Sequence, residues 1–271
     1  MKYFGGIDIG STSIKLVLID EEKRIVADAT CPTGSHFHHN TMTAFEGMLI
    51  RGNIARHEVA YIFSTGYGRK LFKESDETIS EITANAVGAA GFSREGEPVQ
   101  TIINIGGQDL KVIQLDRQGQ IQNFAMNDKC AAGTGRFLEM TARNLEVEVD
   151  QLGELHHQAR GVPLAINSTC TVFAESEIIS LLAGGHGKEE LIAGVHYSIA
   201  KRVARLAKRF VGEGAVFFDG GPARNRGLVD ALEDELMRPV IVPPTPQITT
   251  AFGAALLAME ACEDPEEPER G

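Results

Sequence analysis

One stretch of this chain occurs twice. Ile7-Asp8-Ile9-Gly10-Ser11-Thr12-Ser13-Ile14-Lys15 returns 96 positions later as Ile103-Asn104-Ile105-Gly106-Gly107-Gln108-Asp109-Leu110-Lys111. Followed through Ile25 and Ile121, the copies share six identities in 19 positions, and four further positions exchange apolar for apolar. Each copy reads as a strand ending at an acid or amide, a tight glycine turn and a second alternating strand, carried by Ile14, Leu16 and Leu18 in one and by Leu110 and Val112 in the other. A duplicated hairpin of this kind predicts two similar domains facing one another, with the glycine turns as the lips of one cleft and a ligand shared between them.

Helical periodicity covers Thr41 to Arg51, Glu81 to Phe92, Ala131 to Leu145, Thr171 to Leu182, Glu189 to Phe210, Asn225 to Met237 and Ile248 to Glu260. Strands are expected at Glu58 to Ser64, Ala215 to Asp219 and Val240 to Val242. The alternation predicts an α/β fold with helices covering mixed sheets, the first domain at 1–92 with 249–262 and the second at 98–248. The acidic, proline-broken tail 263–271 is expected to be disordered.

Composition narrows the partners. At 271 residues with 43% hydrophobic and 23% charged residues, the chain can bury a substantial globular core. A formal charge of -11 repels phosphate backbones and anionic lipid, so no nucleic acid is expected as a general partner. Asp8 interrupts the chain before a signal-type apolar region forms, and no run approaches the ~18 apolar residues of a membrane span. A cytoplasmic protein with no membrane anchor is therefore expected. Four cysteines, Cys31, Cys130, Cys170 and Cys262, are too few and too scattered for a disulfide scaffold.

The glycine turns carry the first chemistry. Gly10-Ser11-Thr12, with Ser13 and Lys15 beyond, offers backbone N–H groups, hydroxyls and a cation to a phosphate, although the same residues are ordinary hairpin chemistry. Gly106-Gly107-Gln108 offers a second set of donors. Asp8 is placed to hold Mg2+ or to cap its own turn, and its counterpart Asn104 can coordinate without carrying charge. A third turn, Asp219-Gly220-Gly221-Pro222, lets backbone approach a flat group such as adenosine, or simply connects strand to helix. Neither a Walker A sequence nor G-x-G-x-x-G is present. These three segments resemble the two phosphate segments and the adenosine segment of the actin, sugar-kinase and heat-shock-chaperone ATPase superfamily. The resemblance implies a duplicated, ribonuclease H-like two-domain ATPase binding ATP or ADP with Mg2+. It makes Glu81 to Gly91 and Thr245 to Ala258 the connecting helices, and puts Gln247 at the nucleotide.

Two cysteines share an unusual setting. Cys130 lies in Asn127-Asp128-Lys129-Cys130 and Cys170 in Asn167-Ser168-Thr169-Cys170, each ahead of a predicted helix and among N-cap residues. A positive helix end favours thiolate, the form that binds metal; a small buried hydrophobe is the plain alternative. Two thiolates do not complete an iron–sulfur cluster, but a two-fold dimer supplies four. Asn127 to Glu139, the Cys170 segment through Glu177, and Ile105-Gly106-Gly107-Gln108-Asp109 closely resemble the activator proteins of 2-hydroxyacyl-CoA dehydratases, over about Lys2 to Met259. That resemblance implies a homodimeric ATPase of anaerobic metabolism with one bridging 4Fe-4S cluster on Cys130 and Cys170. Such a protein takes electrons from a ferredoxin or flavodoxin and injects one at low potential into a separate dehydratase, a benzoyl-CoA-type reductase or a double-cubane protein. Asn104 stands where that family usually has Asp, and Leu110 where it has Ser, which leaves Asp8 to carry more of the Mg2+ site.

Two other functions compete. A sugar-type kinase of the same superfamily would use Asp109 as a base on a hydroxyl, but a chain this short leaves little room for its substrate-binding insertion. A non-catalytic actin-like scaffold would have no use for the paired cysteines.

Overall fold

The computed structural model describes residues 2–93, 97–127, 130–166 and 170–263. Its contacts divide the chain into two units, Met1–Ser93 with Gln247–Gly271, and Arg94–Pro246. Residues 128–129 and 167–169, which hold part of the N-cap-rich cysteine segments, and the tail 264–271 lie outside the described residues.

In the first unit β1 (Tyr3–Ile9), β2 (Ser13–Ile19) and β3 (Ile25–Pro32) form an antiparallel meander. After α1 (Phe37–Gly52), β4 (Val59–Thr65) runs parallel to β1, and β5 (Glu77–Thr78) completes a sheet of order β3-β2-β1-β4-β5 before α2 (Glu81–Ala90). The second unit repeats the plan with β6 (Val99–Ile105), β7 (Leu110–Leu115) and β8 (Ile121–Asn127). There follow α3 (Gly135–Asn144), α4 (Leu152–Gln158), α5 (Thr171–Ala183), α6 (Lys188–Ala207), β9 (Ala215–Asp219), α7 (Arg226–Leu236) and β10 (Val240–Ile241). Its sheet order is β10-β9-β6-β7-β8, with β9 parallel to β6. The last helix, α8 (Thr249–Glu263), packs in the first unit.

The strands alternate because both sheet faces are covered. Along β2, Leu16 and Leu18 pack with Phe45 and Met48 of α1, while Val17 and Ile19 pack with Ala254 and Ala255 of α8. Helices α8 and α2 meet backbone to backbone: a Cβ on Gly253 would stand 1.8 Å from the Ala84 carbonyl oxygen.

The repeat holds to the atom at the second turn of each meander. Asp20 accepts the N–H groups of Glu22 and Arg24, and Asp116 those of Gln118 and Gln120. Lys23 and Gly119, again 96 positions apart, both take positive φ, 62° and 81°. Such Asx turns close a hairpin through one carboxylate.

Three helices differ from the sequence expectation by four residues or more, of which α1 begins at Phe37 rather than Thr41. Helix α3 begins at Gly135 rather than Ala131, because Gly133 adopts φ 108°, which no helix accommodates. Helix α4 has no sequence counterpart; only Leu152 and Leu155 mark its apolar side. It contributes to a polar cluster in the second unit, where fully buried His196 meets Nδ1 of His156 at 3.0 Å and the Asn225 amide nitrogen at 2.9 Å. Desolvation, then the neighbouring His156 and His157, push the His196 pKa down to about 3. Among the described residues no helix is long and apolar enough to cross a membrane.

Candidate functional site

The first turn is organised by one acid. Asp8, near the end of β1, faces Lys15 across the hairpin, and Lys15 Nζ donates to Asp8 Oδ2 at 3.0 Å. Asp8 Oδ1 is buried with no hydrogen-bond partner among the described residues. A buried carboxylate oxygen without a donor is electrostatically incomplete, and a hard divalent cation completes it, so this position fits Mg2+. The Gly10 N–H is spent closing the turn onto the Ser13 carbonyl at 3.1 Å, and Lys15 is spent on Asp8. The sequence reading gave both to a phosphate; in this structure each has a partner within the hairpin. Thr33 fastens the turn from below, its hydroxyl donating to the Gly10 carbonyl at 2.8 Å and its N–H to Thr12 O at 3.0 Å.

The second turn has the same backbone and different fastenings. Gly106 N–H donates to Asp109 O at 2.9 Å, so this glycine too is a turn-former rather than a donor. Lys111 Nζ donates to Asp109 Oδ2 at 2.7 Å, which engages the carboxylate that a kinase would need as a base. Asn104 donates its amide N–H to Asp219 Oδ1 at 2.8 Å. The carbonyls of Gly106 and Gly107 accept the N–H groups of Gly135 and Arg136 at 2.9 and 3.0 Å, so the turn caps the first residues of α3. Gln108 stands exposed at the tip.

At the third turn, Gly220 takes φ 93° and donates to Pro246 O. Open space surrounds the position of a Cβ on Gly221, as a flat ligand lying on backbone requires. Asn225 then caps α7, its side chain accepting from Leu228 N. Gln247 Oε1 is buried without a hydrogen-bond partner among the described residues.

The two singled-out thiols meet positive charge in different ways. Cys170 is the N-cap residue of the 13-residue helix α5. Cys130 is separated from α3 by the Ala131–Thr134 turn, and Arg202 of α6 donates to its Sγ at 3.6 Å, so a guanidinium replaces the expected helix end. Soft sulfur donors beside these positive groups fit an anionic iron–sulfur cluster. Among the described residues, one chain gathers no group of three or more His, Cys, Asp or Glu side chains suited to a metal. Cys31, by contrast, lies on β3, where burial pushes its thiol pKa up, and Cys262 packs at the α8 core.

Sequence reasoning missed Thr33, Thr65-Gly66 and Arg202, and named Asp219 only as the first residue of its glycine turn. A glycine directly after β4 was a legible turn signal for Gly66. Nothing local marks Arg202, which lies 72 positions from its thiol.

The sequence pattern of the BadF/BadG/BcrA/BcrD ATPase family matches residues 6–258. The activator of lactoyl-CoA dehydratase from Anaerotignum propionicum is 45% identical over 261 residues, 96% of this chain and 99% of that protein. The (R)-2-hydroxyglutaryl-CoA dehydratase activating ATPase from Acidaminococcus fermentans is 42% identical over 257 residues, 94% and 96% of the two chains. The solved activator of the 2-hydroxyisocaproyl-CoA dehydratase from Clostridium difficile, with bound ADPNP, superposes with a TM-score of 0.90 at 42% identity, covering 96% of each chain. The paired five-stranded mixed sheets are those of the actin-like ATPases.

Proposed function

The chain belongs to the BadF/BadG/BcrA/BcrD ATPase family, and from that premise we propose that it is an ATP-dependent activator, passing a low-potential electron to an acyl-CoA dehydratase or reductase component. The observation that carries the electron-transfer part is the contrast among the settings of its cysteines: Cys130 beside Arg202 and Cys170 at the start of α5, against Cys31 on β3 and Cys262 packed at the α8 core. Cys130 and Cys170 from each of two chains would hold one 4Fe-4S cluster, which when bound supplies one-electron transfer. A ferredoxin or flavodoxin is the donor in this reading.

The chain's own residues divide the work. Asp8 would hold Mg2+ through its unpartnered oxygen while Lys15 steadies the other. Ser11, Thr12 and Ser13 orient phosphate. Gly106 and Gly107 pass any displacement of their turn to Gly135 and Arg136 through two hydrogen bonds, and so to the segment that ends in Cys130. Val172 and Phe173, 66% and 70% exposed just past Cys170, offer an apolar contact to a protein partner.

Protein purified without oxygen is expected to be a brown dimer with about four iron atoms per two chains. Cys130→Ser and Cys170→Ser should remove the iron, whereas Cys31→Ser and Cys262→Ser should keep it. Full iron content in Cys170→Ser would overturn the assignment.

A further inference from the structure

The repeat extends through space to a residue it does not reach in sequence. In the first unit β1 lies parallel to β4, with Asp8 in register with Thr65; in the second β6 lies parallel to β9, with Asn104 in register with Asp219. Both neighbours are followed by a glycine of positive φ, Gly66 at 86° and Gly220 at 93°. Both glycines press on the same point of the repeat. A Cβ on Gly66 would stand 2.7 Å from the Ile9 carbonyl oxygen, and one on Gly220 would stand 2.1 Å from that of Ile105. Ile9 and Ile105 are repeat equivalents, so Thr65 and Asp219 occupy the same place. Each sheet end thus carries one carboxylate on a pair of parallel strands, but on opposite members: Asp8 with Thr65, and Asn104 with Asp219.

The second pair is directly bonded, Asn104 Nδ2 to Asp219 Oδ1 at 2.8 Å. Asp219 has no exposed surface, while Asn104 is 7% exposed. An amide held by its nitrogen turns its carbonyl oxygen the other way, leaving a neutral oxygen ligand backed by a charge. An acid at 104 would instead set two buried carboxylates within hydrogen-bond distance, which one of them could occupy only in protonated form. We infer that Asp219 is the acidic member of the second turn: acting through Asn104 as a positioning residue, it supplies there the negative charge that Asp8 supplies at the first, and aims the Asn104 carbonyl at the Mg2+ of a bound nucleotide. The inference rests on the nucleotide reading above.

The test is an exchange of charge in the full chain, read by titration calorimetry with ADP in Mg2+ and in EDTA, and by Tm. Asp219→Asn should weaken Mg2+-ADP binding about five-fold or more, the worth of one charge-assisted contact, and leave metal-free ADP binding within about two-fold. Asn104→Asp should weaken Mg2+-ADP binding similarly and lower Tm. The double variant Asn104→Asp/Asp219→Asn returns the carboxylate to the repeat's own position with donor and acceptor exchanged, and should regain both Mg2+-ADP affinity and Tm. Unchanged Mg2+-ADP binding in Asp219→Asn, or a double variant no better than the singles, overturns the role. If Asp219→Asn does not fold, the double variant decides: folded protein with weak Mg2+-ADP binding overturns it. Wild-type protein that binds no ADP at all overturns the nucleotide reading, and this inference with it.

Discussion

The two glycine turns share a backbone and are anchored to different things. The first is tied into its own meander, since Thr33 at the end of β3 holds the carbonyls of Gly10 and Thr12. The second is tied to a helix, since Gly106 and Gly107 hold the first N–H groups of α3. Their ion pairs are also inverted. In the first the acid is the buried partner, Asp8 at 5% against Lys15 at 18%; in the second it is the lysine, Lys111 at 3% against Asp109 at 30%. Duplication has kept the strand geometry and moved the side-chain chemistry. In the proposed function the buried acid suits the first turn to bind charge. Hydrogen bonds into α3 suit the second to transmit movement.

The sharpest way to break this comparison is to neutralise both acids. Asp8→Asn should cut Mg2+-dependent ATP hydrolysis about 100-fold or more, because a metal ligand is lost, and should leave the fold intact because Lys15 remains partly hydrated. Asp109→Asn should cost about ten-fold at most, its carboxylate being already engaged by Lys111. Equal losses of kcat would mean that the turns do not differ in this way.

Transmission is tested next. If the second turn moves α3, ATP and ADP should change the rate at which a chelator strips iron from the reconstituted protein, by the roughly 5- to 150-fold typical of linked sites. Gly135→Ala, which places a Cβ 3.3 Å from Gly106 O and from Gly107 Cα, should alter that nucleotide effect. Thr33→Val, which loosens only the first turn, should leave it alone. Identical stripping rates in the apo, ADP and ATP forms would remove the coupling.

The smallest effect concerns acid. Burial lowers the pKa of His196 to about 3 and also lowers that of His156, and both belong to the second unit. Their unfolded forms take up protons near pH 6.5 while the folded forms do not, so stability is complete above that pH and is lost as pH falls toward about 3. For His196 the loss is up to about 1.4 kcal/mol per pH unit across that window, and His156 adds to it in the same direction. Hydrogen exchange at pH 5 should therefore show α4 and α6 opening before the first unit. His196→Gln should flatten the pH dependence of Tm, and an unchanged slope would assign the acid sensitivity elsewhere.

Much of this was legible because it is written in adjacent residues. Ile14, Leu16 and Leu18 announce the second strand of the first hairpin by their alternation, while Asp20 and Asp116, equally local, close the next turns with carboxylates to which the sequence reading gave no role. The duplicated Gly10 and Gly106 located both site turns. Their jobs were less legible: a glycine in a tight turn suggests an available N–H, and here the turn itself consumes it. The start of α3 was misplaced because its apolar face, Leu138, Ala142 and Leu145, lies downstream of Gly133 and says nothing of that residue's φ. Helix α4 was missed because seven residues with two leucines make no period.

Local alternation and short-range turn chemistry are thus properties of the sequence by itself, since strand pleat and Asx closure depend on neighbours one to four positions away. The pairing of Asn104 with Asp219, of Cys130 with Arg202, and of Gly106 with Gly135 was decided only by the tertiary structure. The first depends on the register of β6 against a parallel strand 115 positions on, reached through a crossover whose helices carry no record of that register. The second depends on how α6 lies over the Ala131–Thr134 turn, and the third on where Gly133 lets the chain turn back onto the hairpin. Register and helix placement follow from the packing of whole elements, so the same repeat came to hold its acid on β1 in one unit and on β9 in the other.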